Sequence, residues 1–211
     1  MFIATMFITK RVAVRSFVTC LVASAALTSI SQAQAAPSDV PVFEVTPVSS
    51  SIKFDVDASV AIEGTFDKWD ATLTFTSADA ATGVLEIKIQ ADSVDTGSGM
   101  KNGKLKGKDF FDTKNNPLIT FKSTKIVQTG PDTFEANGDF TIRGVTKPEK
   151  LSVTVSGKGT GSGAIKGTMS FDRKQYGMNS GIPFIKIADR VDVTVDIKAK
   201  RVSGPPVEFK Q

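Results

Sequence analysis

The side chains that could carry chemistry are few, and their types narrow the choice. No histidine occurs in the 211 residues, and the single cysteine is Cys20. This excludes Ser-His-Asp and Cys-His nucleophilic catalysis, and with it the usual zinc and copper ligand sets. Two carboxylate pairs remain, Asp92 with Asp95 and Asp109 with Asp112. Such a pair can divide acid and base roles between its members. Both pairs lie in loop-like stretches beside Ser, Thr or Lys, where solvated turn residues are the commoner occupants. No spacing matches an Asp-rich calcium loop. Lys101, Lys104, Lys106 and Lys108 form the one basic cluster. It reads as a collar for an anionic headgroup or membrane surface, or as the solvated face of a cap, and the second is the commoner. The expectation is a binding protein and not an enzyme, with no catalytic residue, metal site or required cofactor.

The cluster sits in the one break of a strand-like sequence. Before it, Leu85, Ile87 and Ile89 alternate with Glu86, Lys88 and Gln90; after it, Ile119, Phe121 and Ser123 alternate with Thr120, Lys122 and Thr124. Period two is the signature of half-buried strands. Between them the spacing predicts a short helical cap near residues 98–108, with Ser98 as its N-cap, followed by Phe110 and Phe111. The same alternation recurs from Phe43 to Ile197. Gly130-Pro131-Asp132 and the glycine-rich 157–163 stretch read as turns, Arg143-Gly144 as a bend, and 176–183 as a long loop. At least eight strands with almost no helix imply an antiparallel all-β domain. A sandwich and a barrel share the pattern. Long meandering strands favour a closed, eight-stranded barrel, because closure removes both edges.

Export explains the apparent basicity. Lys10, Arg11 and Arg15, the uncharged apolar run 17–30 and Ala33-Gln34-Ala35 form a secretory signal peptide, 1–35, with cleavage expected after Ala35. That segment removes three positive charges and no negative one, so the formal +4 falls to +1. A nucleic-acid partner then loses its electrostatic warrant. A permanent membrane anchor is not expected from so short and diluted a run. Cys20 leaves with the segment, so a packed core must supply the stability. Residues 36–41 read as a flexible leader, 42–203 as the domain and 204–211, with Pro205-Pro206, as a loose tail. The inward rows are rich in phenylalanine: Phe54, Phe66, Phe75, Phe121, Phe134, Phe140 and Phe171, with Trp69. Periodicity reads these equally as an ordinary core and as the wall of an apolar tunnel.

Four segments resemble the YceI-like family of periplasmic polyisoprenoid-binding proteins: Ile62-Glu63-Gly64-Thr65-Phe66 with Trp69; Asp92-Ser93-Val94-Asp95-Thr96 through Leu105 and Asp109-Phe110-Phe111-Asp112 to Pro117–Thr124; Gly138–Pro148; and Asp172–Met178. The resemblance implies a lipocalin-like barrel whose tunnel holds an isoprenoid chain, such as a quinone tail, and a role in isoprenoid-quinone handling or stress response. It raises the tunnel reading above the core reading. The expected tunnel residues are Phe54, Phe66, Trp69, Leu73, Phe75, Ile87, Ile89, Phe110, Phe111, Phe121, Phe140, Phe171 and Met178. Arg143, Arg173 and Tyr176 are expected at the mouth or as its support, although Arg143 also reads as fixing the bend at Gly144. Where many members carry histidines, this chain reads Asp55-Val56-Asp57-Ala58 and Lys101-Asn102-Gly103-Lys104. A pH response resting on histidine is therefore not implied. The expected partner is an isoprenoid lipid, with a homodimer compatible. The alternative is a filled-core barrel acting as a structural or protein-interaction module in the cell envelope.

Overall fold

Strict alternation of side chains produces one curled antiparallel sheet. The computed structural model describes residues 38–59, 61–181 and 186–210; the expected signal peptide lies outside them. Among the described residues are eleven strands: β1 (Val42–Val45), β2 (Ser51–Val56), β3 (Ile62–Phe66), β4 (Trp69–Thr74), β5 (Val84–Gln90), β6 (Val94–Asp95), β7 (Leu118–Gln128), β8 (Thr133–Ile142), β9 (Val145–Ser156), β10 (Ser162–Asp172) and β11 (Arg190–Ser203). Their order is β4-β5-β7-β8-β9-β10-β11-β2-β3-β6, with β1 beside β11. Along β8, Phe134, Ala136, Gly138, Phe140 and Ile142 are buried. Along β10, Gly167, Met169 and Phe171 are buried while Lys166, Thr168 and Ser170 are exposed. A slip of one residue would turn either row out to water, so burial fixes the register.

The count is eleven where eight were expected, because three early strands are interrupted. β1 and β2 both pair with β11 and are parted by a turn beginning at Pro47. A corner at Asp67 and Lys68 parts β3 from β4, and the turn Ala91–Ser93 parts β5 from β6. Pairing continues round the corner: the Asp67 amide donates to the Ser93 carbonyl (3.2 Å), and the Gln90 amide to that of Lys68 (2.9 Å). Since β3 and β4 lie towards opposite ends of the strand order, the corner brings those ends together and curls the sheet.

Local chemistry marks the remaining joints. Arg143 (φ 55°) and Gly144 (φ 72°) make the two-residue turn between β8 and β9, the left-handed pair that matches hairpin twist. β7 carries a register irregularity between Ser123 and Lys125. There the buried Ser123 hydroxyl accepts the Leu85 amide at 2.9 Å, so a polar side chain in the interior satisfies a strand donor.

The cap forms as expected. Helix α1 (Gly99–Lys106) starts at Ser98, whose side chain accepts from the Lys101 amide, and it buries Leu105. Phe110 and Phe111 turn inward, 5% and 7% exposed. Among the described residues, no helix is long and apolar enough to cross a membrane.

The ends differ from expectation. Pro41, placed in the flexible leader, is fully buried. The tail is docked rather than loose. The Glu208 amide donates to Ala78 and its carbonyl accepts from Ala80. Gln128 exchanges two hydrogen bonds with the Lys210 backbone, both 2.8 Å. Phe209 meets the Phe134 ring at 5.9 Å, with Lys158 4.8 Å from its centroid. The apolar ring gives the polar tail an anchor that proline content alone does not reveal.

Candidate functional site

Inward rows from β2, β3, β5, β7, β8, β10 and β11 converge beneath α1. Phe54, Phe66, Ile89, Phe140 and Phe171 meet Leu105, Phe110 and Phe111 of the cap segment and Met178 of the loop after β10. They surround a cavity of about 680 Å³, its opening included, on whose wall Arg173 is the one charged residue. The ring centroids of Phe54 and Phe66 lie 5.6 Å apart, and Phe111 closes the group at 5.9 Å from Phe66 and 6.3 Å from Phe54. Such offset and edge contacts hold the wall rigidly while leaving its inner surface apolar.

A second cavity occupies the other end of the sheet. Leu73 and Phe75 line it, with Phe43, Phe134, Val153 and Phe209, around about 970 Å³ including its open mouth. On β8 the division is direct: Phe134 and Ala136 face this cavity, Phe140 and Ile142 the one beneath α1. No residue lines both. Ile87 and Phe121 are buried but line neither, and half-buried Trp69 packs on the core without lining either. The single tunnel expected from the sequence is thus two apolar chambers with packed side chains between them.

The three polar candidates are supports rather than a mouth. Tyr176 is 0% exposed, stacked edge-on against Phe140 (5.5 Å) and Phe171 (5.2 Å). Its hydroxyl donates to Glu149 at 2.8 Å. Burial, and then the adjacent carboxylate, push its pKa upward. Arg173 lies 6% exposed in the turn Arg173–Tyr176. It donates to the carbonyls of Ala188 (3.0 Å), Ser180 (3.0 Å) and Met178, and to Asp189 (3.2 Å). The rigid fork of the guanidinium suits this multiple task. Arg143 donates to the Gly177 carbonyl from the β8–β9 turn. It thereby both shapes the bend and fastens the loop that carries Met178.

The acidic pairs are occupied elsewhere. Asn102 and the Gly97 amide hydrogen-bond to Asp95 and hold its carboxyl below the usual range. Lys104 does the same for Asp109 at 3.1 Å. Asp112, in the left-handed region at φ 49°, accepts from Asn115 and Asn116. Lys101 donates to the Ala61 carbonyl at 3.1 Å, tying α1 to the strands. Among the described residues no cluster of three or more His, Cys, Asp or Glu could hold a metal.

Sequence reasoning missed several wall residues. Ile62, Ile119 and Ile142 alternate in register with their phenylalanine neighbours, so the signal was present but aromatic residues drew the eye. Phe209 carries no local signal, because its partner Phe134 is remote in sequence.

The model of the YceI-like domain matches residues 43–199, spanning every strand that lines the chamber beneath α1. The chain belongs to the YceI-like family. Among family relatives, a UPF0312 protein of Pseudomonas syringae pv. tomato is 29% identical over 140 residues, 64% of this chain and 72% of the relative. Protein YceI of Escherichia coli O17:K52:H18 is 36% identical over 96 residues, 46% of this chain and half the length of that protein. Among solved structures, BcnA of Burkholderia cenocepacia has a TM-score of 0.67 at 28% identity, covering 74% of this chain and 99% of BcnA. A polyisoprenoid-binding domain from Saccharophagus degradans, implicated in plant cell wall breakdown, has a TM-score of 0.62 at 15% identity, over 76% of this chain and 99% of that domain. At that identity the likeness is one of fold.

Proposed function

We propose that this protein is an exported lipid-binding barrel that sequesters or carries an isoprenoid amphiphile, an isoprenoid quinone or a related molecule. The observation that carries the reading is the chamber beneath α1, walled by apolar side chains with Arg173 alone charged. Its volume falls in the range of small-molecule sites. Burial of an apolar chain there contributes about 25 cal/mol per Å², without any charged contact. The curled sheet serves as an eight-stranded, lipocalin-like barrel if each interrupted strand is counted once. Membership of the YceI-like family supports a lipid-binding role, and the family's polyisoprenoid-binding member of like fold points to the chain type. Export to the periplasm rests on residues 1–35 alone.

The test is a pair of substitutions on the chamber wall. Phe140→Glu and Phe171→Glu put a carboxylate where the chain would lie, and uptake of a farnesyl or quinone probe should be lost. Undiminished uptake by folded variants removes the chamber from the site.

A further inference from the structure

The two chambers are parted by a layer of side chains that recurs on successive strands. On β5, Leu85 faces one chamber and Ile89 the other, with Ile87 between them. On β11, Val193 and Ala199 face opposite chambers across Val195 and Ile197. These intervening side chains are buried: Ile87 and Val195 are each 3% exposed and Ile197 1%. Phe121, 4% exposed, pairs with Ile87 across the β5–β7 ladder. Leu151, 1% exposed, leans over the neighbouring strand, where a Cβ on Gly167 would meet it at 3.1 Å. The glycine therefore makes room for the leucine. The layer spans four residues on β5, about 13 Å at the rise of a strand, which is too deep for thermal side-chain motion to bridge.

We infer that this waist is a chain-length stop. The ligand is a short isoprenoid seated in one chamber, and not a long chain threading the whole barrel. The inference rests on the proposed isoprenoid reading and specifies it. In an open tunnel every further buried carbon strengthens binding by about fourfold. With a stop, the gain ends when the chamber is full, and the surplus chain stays in water. Leu151 and Ile197 are the specificity-determining side chains, since trimming either opens the partition without touching a chamber wall.

The experiment delivers farnesol, geranylgeraniol and solanesol to the purified protein from mixed micelles and compares retention by native mass spectrometry. The wild type should hold solanesol no more tightly than farnesol. Leu151→Ala should hold solanesol at least about tenfold more tightly than the wild type does, with farnesol unchanged. A wild type that favours solanesol over farnesol by more than about tenfold overturns the stop. So does a folded Leu151→Ala with unchanged chain-length preference. Retention of neither farnesol nor solanesol refutes the isoprenoid reading itself, a distinct failure. The wild-type ratio needs no variant, and Ile197→Ala provides a second opening if Leu151→Ala does not fold.

Discussion

Removing the guanidinium of Arg173 should loosen the floor of the chamber by an amount that can be worked out. The side chain is 6% exposed and satisfies three backbone carbonyls, those of Ala188, Met178 and Ser180. Its ion pair with Asp189 contributes little, because Asp189 is half-exposed and also bound by Lys174 at 2.8 Å. The loss therefore comes mainly from the carbonyls. At about 1 kcal/mol each, Arg173→Met should cost about 3 kcal/mol. For a domain of this size that is a fall in Tm of about 9 °C. Methionine keeps the apolar stem, so packing is largely retained. Arg173→Lys keeps the charge but not the fork, and should lose most of the same stability. Urea unfolding at constant m-value measures both. Because Met178 sits on the chamber wall, ligand retention should fall with stability in each variant. A lysine variant as stable as the wild type, or a methionine variant destabilised by under about 1 kcal/mol, would refute the claim that this arginine holds the loop.

Three further outcomes follow from particular contacts. Gly138→Ala should destabilise by about 3 kcal/mol, since its Cβ would fall 2.7 Å from the Ser123 Cα beside the irregularity in β7; thermal unfolding reads this, and a neutral result would mean that β7 yields freely. With no histidine in the chain, stability and retention should be flat from about pH 5 to 8. Asp95, Asp109, Asp189 and Asp192 have folded pKa values held below the ordinary 3.8 by their hydrogen-bond partners. Their contribution is present above that range and is lost as pH falls through the folded values, whereas Tyr176, shifted upward from 10.0, loses its contribution only as pH rises beyond that. A Tm that moved between pH 5 and 8 would contradict this assignment. Deleting residues 205–211 removes Phe209 and the Glu208 and Lys210 hydrogen bonds, and should widen the mouth of the second chamber; an apolar dye that gains fluorescence on the shortened protein checks it, and unchanged dye binding would show that the tail does not cover that mouth.

Much of this architecture was legible because alternation is local. Phe134 to Ile142 and Gly167 to Phe171 read correctly as inward rows, and Ser98 marked the start of α1. Arg143-Gly144 marked a bend whose left-handed backbone the structure shows at both residues. What stayed hidden is non-local. The corner at Asp67 and Lys68 depends on the hydrogen bonds from Asp67 to Ser93 and from Gln90 to Lys68, which no window of neighbouring residues contains. Arg173 and Tyr176 carry polar groups that suggest a solvated mouth, yet distant carbonyls and Glu149 satisfy them in the interior. Phe121 and Ile87 fit the inward pattern as well as Phe140 and Ile89 do. Whether an inward residue lines space or fills it depends on what faces it across the barrel, and period two carries no record of that.

Mass spectrometry of an organic extract from the purified protein tests the central claim most directly, with an unrelated exported protein as control. Near-stoichiometric isoprenoid lipid, or its uptake on incubation with isoprenoid quinones, is the predicted result. An extract free of such lipid, together with no uptake on incubation, would contradict carriage and leave a barrel whose outer surface, not its interior, meets its partner.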